Sequence, residues 1–383
     1  MPHYYFDHNA TSPLTAPVRQ AYLAALEECF GNASSIHRLG QIAKQRLESA
    51  RRTLAFHLGA NAKEIVFVSG GTESDNIALR GIAGPGDHIV VTSIEHPAVL
   101  ATAAAMERAG TAVTVIPVPP SGVVDPVSVE RALRPGTKLV SVMHANNELG
   151  TIQPLAEIAK ITRAAGVLLH SDGVQAFGRV PVNLTALGVD LYSVSGHKLG
   201  APKGIGALYV RKGIPLNAIS WGGHHEGDRR PGTENVAGAV AFAAAAETAD
   251  WSQTRILRDR LEARILTCTG NAFVNGAGQR LPNTTNIRFD GIEGEALLIS
   301  LDLGGFAVSS GAACSSGAVE PSHVLTAIGL AKRDARSSLR FSLGPQNTVA
   351  EVDALADAVE KAVTHLRRIS TDTHPGIRTH VNV

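Results

Sequence analysis

Short apolar runs rich in β-branched residues alternate with helix-like stretches along the first half of the chain. The runs read EIVFV (64–68), HIVVT (88–92), TAVTVIPV (111–118), KLVSVM (138–143), VLLHS (167–171), DLYSVS (190–195) and GALYV (206–210). Alternating strands and helices are typical of βαβ units, and unbroken apolar runs indicate strands that are buried on both faces. The pattern predicts an α/β fold with a large, doubly wound, mostly parallel sheet.

The pattern changes after about residue 250. A long amphipathic stretch, TRILRDRLEARIL, is followed by a strand-like segment at 284–290 and a helix-like segment at about 352–366. This mixture predicts a smaller α+β domain after the sheet domain. The predicted domains are a large one at residues 15–254 and a small one formed by residues 1–14 and 255–383.

Charge and hydropathy narrow the class of function. The 383 residues include 35 Lys and Arg and 34 Asp and Glu, so the net charge of +1 predicts neither a nucleic-acid nor a membrane-surface partner. The longest apolar run, Val236 to Ala246, is far shorter than the roughly 20 residues that span a bilayer and predicts a buried helix instead. Because the N-terminus also lacks a signal-peptide pattern, we expect a cytoplasmic protein.

Cysteine usage argues against a structural role for sulfur. Only Cys29, Cys268 and Cys314 occur, without CxxC spacing, which excludes a disulfide framework and a zinc ribbon and fits a reducing compartment. A lone cysteine is most often an inert buried residue, and we expect this of Cys29 and Cys268. Cys314 lies in the small-residue run SSGAACSSGA, which predicts a mobile loop and makes it a candidate nucleophile.

Polar residues crowd the ends of the predicted strands, where sheets of this type bind ligands. Gly70, Gly71 and Thr72 lead into a helix, whose free N–H groups could hold a phosphate, although such a turn is also a common helix cap. Neither a GxxxxGKS/T loop nor a dinucleotide fingerprint occurs. The sequence therefore excludes these nucleotide sites and leaves a phosphate cradle and a plain helix cap as alternatives for this turn.

Two further strand ends carry an acid and a lysine. Asp172 ends an apolar strand, where an unpaired carboxylate is costly, so it should face a cation in a site or in a structural salt bridge. Lys198 lies on a turn after a strand, and a desolvated lysine there is a nucleophilic amine, whereas a surface lysine is the simpler alternative. A phosphate-binding turn, a buried acid and a lysine in βα order are what pyridoxal phosphate requires.

Long motifs up to about residue 345 resemble the cysteine desulfurases of the nitrogen-fixation and iron–sulfur-cluster type. That family belongs to the class V aminotransferase group of fold-type I pyridoxal phosphate enzymes. The matching motifs are YYFDHNATSPL (4–14), GNASSIHRLG (31–40), SGGTESDN (69–76), EHPAVL (95–100), HANNELGTIQP (144–154), HSDGVQ (170–175), SGHKLGAPKGIG (195–206), RRPGTEN (229–235), SSGAACSSGAVEPSHVL (309–325) and LRFSLG (339–344).

The resemblance implies a cofactor site for pyridoxal 5'-phosphate. Lys198 would form the imine with the cofactor, and Asp172 would keep the ring nitrogen protonated. His96 would stack on the ring and shuttle protons. Gln175 and Asn147 would hydrogen-bond the phenolic oxygen and its surroundings. The implied phosphate ligands are Gly71, Thr72, Ser195 and His197, with Thr233 of a neighbouring subunit completing the site of a homodimer.

The resemblance also implies the reaction. Arg340, with Asn147 beside it, would receive the α-carboxylate of L-cysteine, and Cys314 would attack the substrate sulfur, with His96 as the candidate base. The products would be L-alanine and a persulfide on Cys314 for transfer to an acceptor protein, in iron–sulfur cluster assembly or transfer-RNA thiolation. A selenocysteine lyase, a class V aminotransferase and a non-catalytic scaffold that retains the cofactor are the alternatives.

The remaining polar groups predict no chemistry. His224, His225 and Glu226 lack a third metal ligand at motif spacing and predict a polar loop, so no metal is expected. Two basic clusters, Arg51 with Arg52, and Lys332 and Arg333 with Arg336, predict solvated helix faces. The polar tail at 370–383 predicts a frayed end or a surface strap, and it is unlike the longer tail by which housekeeping family members dock a scaffold.

Overall fold

The computed structural model describes residues 3–310 and 320–372, without the side chains of residues 370–372. The helices are α1 (Ala16–Glu28), α2 (Arg38–Leu58), α3 (Gly71–Ile82), α4 (Pro97–Arg108), α5 (Pro126–Ala132), α6 (Leu155–Ala164), α7 (Leu184–Leu187), α8 (Val236–Thr248), α9 (Thr254–Thr269), α10 (Gly294–Leu303), α11 (His323–Ala327), α12 (Lys332–Arg336) and α13 (Val349–Asp372). The strands are β1 (Tyr4–Tyr5), β2 (Ile65–Val68), β3 (His88–Thr92), β4 (Ala112–Ile116), β5 (Thr137–Ser141), β6 (Leu168–Asp172), β7 (Leu191–Ser195), β8 (Gly206–Val210), β9 (Ala272–Val274), β10 (Thr284–Phe289), β11 (Phe306–Ala307) and β12 (Ser338–Ser342).

A seven-stranded sheet in the order β2-β8-β7-β6-β5-β3-β4 forms the centre of the larger part. The strands from β4 to β7 pair in parallel, whereas β8 is antiparallel to both β7 and β2. Each predicted strand is present, and the predicted fold class is confirmed. The carboxyl ends of the five parallel strands β3 to β7 lie at one edge of the sheet, which is where the polar motifs follow them.

Burial on both faces explains the unbroken apolar strands. In β3, the side chain of Val90 packs into the core on one face, whereas Ile89 and Val91 pack into the core on the other. Alternation of side chains along a strand requires apolar residues at every position when helices cover both faces. The sheet is therefore a rigid layer with little freedom at its strand ends.

A second core forms around a three-stranded antiparallel sheet, β12-β10-β9. Helices α9, α10 and α13 bury apolar side chains there, among them Leu261, Leu297 and Val359. Phe6 lies in the same core, and β1 pairs in parallel with β11. The start of the chain thus packs with residues near 300, while the division into domains at residue 255 stays a prediction.

Helix α8 is apolar on all sides, as a fully buried helix must be. Ala239, Ala241 and Phe242 have no exposed surface, and the helix packs against α1 and α2. The prediction of a buried helix from Val236 to Ala246 is confirmed. In the described ranges, no helix is both long enough and apolar enough to span a membrane.

The predicted solvated face is wrong for Arg51, which is 8% exposed. Its Nη1 and Nη2 donate to the Glu226 carboxylate at 2.6 and 2.8 Å, and Nη1 also donates to the Ile65 carbonyl at 2.8 Å. The sequence placed Glu226 in a polar loop and did not indicate its pairing with Arg51, because the two residues are 175 positions apart in the chain. Arg52 and the basic residues of α12 are exposed, as predicted.

We expect Arg51→Ala to destabilise the protein by about 3 kcal/mol, because the buried Glu226 carboxylate loses its charged partner. Urea unfolding followed by circular dichroism measures the change. Arg52→Ala is the matched control and should change the free energy of unfolding by no more than about 0.5 kcal/mol, since Arg52 is exposed. Equal unfolding midpoints for the two variants would contradict the assigned role of the pair.

Candidate active site

A cavity of about 390 Å³ lies at the carboxyl ends of the sheet strands. Side chains from several strand ends, from the N-terminal segment (residues 7–12) and from β12 line it. Most residues with a predicted site role meet there, although the structure does not by itself assign their roles. They are Gly71, Thr72, His96, Asn147, Asp172, Gln175, Ser195, His197, Lys198 and Arg340.

The turn before α3 has the features of a phosphate cradle. No side chain caps the first turn of α3, which leaves its N–H groups available to an anion. Ser195 Oγ is buried and has no hydrogen-bond partner among the described residues, and it lies 3.7 Å from where a Cβ at Gly70 would be. A Cβ at Gly71 would lie 2.7 Å from Val174 Cγ2, so glycine is needed for this close approach. These donors fit the phosphate of pyridoxal phosphate.

Asp172 is buried at the end of β6, and its Oδ1 accepts a hydrogen bond from the Val174 N–H at 2.9 Å. Burial raises the pKa of Asp172, and the charges of His96 and Lys198 oppose this shift. Asp75, one turn into α3, also lines the cavity, and its pKa is raised by burial and then by Asp172. Sequence reasoning missed Asp75, which has no distinguishing signal within its helix.

His96 caps the N-terminus of α4, where its Nδ1 accepts from the Ala98 N–H at 3.1 Å. Burial lowers the pKa of His96, so the ring is neutral near pH 7. A neutral imidazole that accepts at Nδ1 carries its proton on Nε2. The Nε2–H is therefore a hydrogen-bond donor, whereas the sequence predicts His96 as a base.

Lys198 ends a single helical turn, Gly196–Lys198, that follows β7. Its Nζ donates to the carbonyl oxygens of Asn9 and Ala10 at 2.6 and 2.8 Å. Burial lowers its pKa to about 7, and the positive charges of Arg179 and Arg340 act in the same direction. The interpretation of Lys198 as a surface lysine is wrong, and its amine is in part neutral at pH 7.

Arg340 lies in the middle of β12 and is 5% exposed. Its Nη2 donates to Asp7 Oδ1 at 2.5 Å and its Nη1 to the Asn147 carbonyl at 3.1 Å. Its Nε is buried and has no partner among the described residues. Arg340 thus keeps a free donor at the cavity, as a carboxylate receptor requires.

The N-terminal segment connects these groups, which sequence reasoning did not foresee. The Asn9 carbonyl accepts from Gln175 Nε2 at 3.0 Å as well as from Lys198. The Asn9 side chain donates to the Asn147 carbonyl at 2.9 Å and accepts from Arg179 at 2.9 Å. The polar run DHNATS beside a buried start, YYF, was the available signal.

Two predicted site residues are not among the described residues that line this cavity, for different reasons. Thr233 is exposed in the loop before α8, so its contribution to a second subunit's site stays a prediction. Cys314 lies in residues 311–319, outside the described residues. Of the other cysteines, Cys29 is buried as predicted, whereas Cys268 is partly exposed because α9 buries other positions, such as Leu261 and Ile265. Within the ranges described, no three His, Cys, Asp or Glu side chains are grouped as metal ligands.

Comparisons with known proteins agree on one family. The chain matches the class V aminotransferase family over residues 4–355. A cysteine desulfurase of Dictyoglomus turgidum is 43% identical over 96% of this chain and 96% of its own length. A cysteine desulfurase of Gluconacetobacter diazotrophicus is 46% identical, with 96% and 94% of the two chains covered. A solved NifS-like protein superimposes with a TM-score of 0.89 at 36% identity, covering 95% of this chain and all of that one.

The fold and the comparisons define a fold-type I pyridoxal-phosphate-dependent enzyme. The chain belongs to the class V aminotransferase family and, within it, to the cysteine desulfurases. The predicted family, fold and enzyme class are confirmed. A solved structure described as SspA in complex with cysteine is also similar, with a TM-score of 0.82 at 33% identity over 90% of this chain.

We expect the amine of Lys198 to react with pyridoxal phosphate faster as the pH rises to about 8 and then at a nearly constant rate, because its pKa is lowered to about 7. An ordinary lysine would continue to gain reactivity up to about pH 10. The initial rate at which visible absorbance develops in the apoprotein measures this, with Lys198→Ala as the control that develops none. A rate that still increases between about pH 8 and pH 10 would contradict the lowered pKa.

Proposed function

We propose that this chain takes sulfur from L-cysteine and releases L-alanine, with pyridoxal phosphate as its cofactor. One observation carries the proposal. A half-buried amine with a lowered pKa, a buried acid and a buried guanidinium with a free donor, which are Lys198, Asp172 and Arg340, line a single cavity. Relatives that share 43 to 46% of their residues with this chain are named cysteine desulfurases, which supports this substrate.

Different residues of the cavity would hold different parts of the cofactor. Lys198 would attach it, Asp172 would pair with its ring nitrogen, His96 would lie against the ring, and Gln175 would donate to its phenolic oxygen. When bound, pyridoxal phosphate supplies an electron sink for the electrons of the substrate Cα–H bond. The phosphate ligands are Gly71, Thr72, Ser195 and His197.

Arg340 would bind and orient the substrate through its α-carboxylate. Its unpartnered Nε offers a donor to one carboxylate oxygen, and its planar guanidinium suits two-point contact. The backbone at Asn147, which accepts from Arg340, keeps the guanidinium in place. Because Arg340 is 5% exposed, the contact forms with little competition from water.

Lys198 would move the Cα proton of the substrate, with His96 as a hydrogen-bond donor beside it. Near pH 7 a large share of Lys198 amines is neutral, so its Nζ can accept the Cα proton once it is free of the cofactor. The Nε2–H of neutral His96 would donate a hydrogen bond within the same cavity. The carboxylate of Asp172 is buried and would hold the opposite charge beside the protonated ring nitrogen of the cofactor.

Cys314 would accept the sulfur. Its thiolate attacks the sulfur of the substrate, an S–S bond forms, the C–S bond breaks, and the substrate carbon receives a proton to give alanine. Cys314 lies outside the described residues, and its role follows from its motif. The persulfide would pass to an acceptor protein in the cytoplasm. In a homodimer, Thr233 of a second copy would complete each phosphate site.

Replacing Cys314 by Ala should reduce sulfide and alanine formation by at least about 100-fold, because the nucleophile is lost. The visible absorbance of the bound cofactor should be unchanged, since Lys198 is intact. Assays of both products with L-cysteine under reducing conditions measure this.

Cys29→Ala and Cys268→Ala are the matched controls and should retain turnover, because neither residue lines the cavity. Normal turnover by Cys314→Ala would overturn the role of Cys314. A loss of cofactor absorbance would instead show that this variant is damaged in the site itself.

A further inference from the structure

Arg179 is a buried cation without a carboxylate partner among the described residues. It is 6% exposed, and its guanidinium carbon lies 4.8 Å from the ring centre of Trp251. Its donors bond to the Asn9 side-chain oxygen at 2.9 Å and to the His8 carbonyl at 3.0 Å. Because neutral oxygens satisfy its hydrogen bonds without cancelling its charge, that charge acts on its neighbours.

The first neighbour is Gln175. A guanidinium only donates hydrogen bonds, so the Gln175 atom that contacts Arg179 Nη1 must be the amide oxygen. The Asn9 carbonyl only accepts, so the atom 3.0 Å from it must be the amide nitrogen. These two contacts fix the amide orientation, and the second hydrogen of Nε2 is left for an acceptor in the cavity.

The second neighbour is Lys198. Arg179 Nη2 donates to the Lys198 carbonyl at 3.3 Å, and the Asn9 carbonyl, in the residue that Arg179 holds, accepts from Lys198 Nζ at 2.6 Å. Arg179 therefore contacts the backbone of Lys198 and also Asn9, whose carbonyl accepts from the Lys198 amine. The other charged groups that act on the Lys198 amine are Arg340, Asp172 and Asp7.

We propose that Arg179 is a positioning residue of the cofactor site, which orients Gln175 as a donor and places a second positive charge behind Lys198. The inference rests on the proposed function, because it assigns Lys198 and Gln175 to the cofactor. Both effects disfavour a proton on the nitrogen that joins Lys198 to the cofactor. The positive charge of Arg179 repels that proton. The phenolic oxygen of the cofactor would stabilise the proton, and the Gln175 donor weakens this stabilisation because it withdraws electrons from the oxygen.

The test is a pH titration of visible absorbance, without substrate, for proteins loaded with pyridoxal phosphate. Arg179→Met should raise the titration midpoint by about one pH unit. Arg179→Lys keeps the charge but cannot reach all the oxygens, so its midpoint should lie above that of the unmodified protein and nearer to it than to Arg179→Met. Arg163→Met, at an exposed arginine, is the matched control and should leave the midpoint unchanged.

The outcomes separate this inference from the proposed function. A Met variant that titrates at or below the unmodified midpoint overturns the inference alone. If Arg179→Met does not fold, as judged by its thermal transition, Arg179→Lys decides, and a midpoint at or below the unmodified value overturns the inference. No visible band in the unmodified protein, or an unchanged band in Lys198→Ala, would overturn the assignment of Lys198 and with it the proposed function.

Discussion

Exclusion of water from Lys198 is the constraint on which the site depends. Burial, followed by the positive charges of Arg179 and Arg340, disfavours the charged form of its amine, which donates to two backbone carbonyls of the N-terminal segment. A lysine in water would be protonated at pH 7 and could neither attack a carbonyl carbon nor accept a proton. The chemistry of the cavity thus follows from where the chain buries this one side chain.

Three separate parts of the chain must assemble to bury it. The sheet supplies Asp172 and the turn with Lys198, the N-terminal segment supplies Asn9, and β12 supplies Arg340. Because Phe6 packs in the second core while Asn9 contacts residues at the sheet edge, the N-terminal segment connects the two cores at the cavity. The site is therefore complete only when both cores are folded.

Local sequence determined what could be predicted. Strands such as β3 are buried on both faces, so their apolar runs are unmistakable, and the polar residues after them had to meet at one edge. Nothing local distinguishes Arg179, and the polar run DHNATS marks Asp7 and Asn9 without showing their roles, which arise from partners more than a hundred residues away. The same distance hid the pair of Arg51 with Glu226. Motif resemblance placed Arg340 at the substrate, yet its pairing with Asp7 required the structure.

Product stoichiometry in a single turnover tests the central claim most directly. The loaded protein is mixed with less than one equivalent of L-cysteine per site, without reductant, and both alanine and protein-bound persulfide are quantified. We expect one alanine and one persulfide for each cysteine consumed, because the sulfur moves to the protein as the carbon skeleton is released. A keto acid in place of alanine, or alanine without persulfide, would contradict the account.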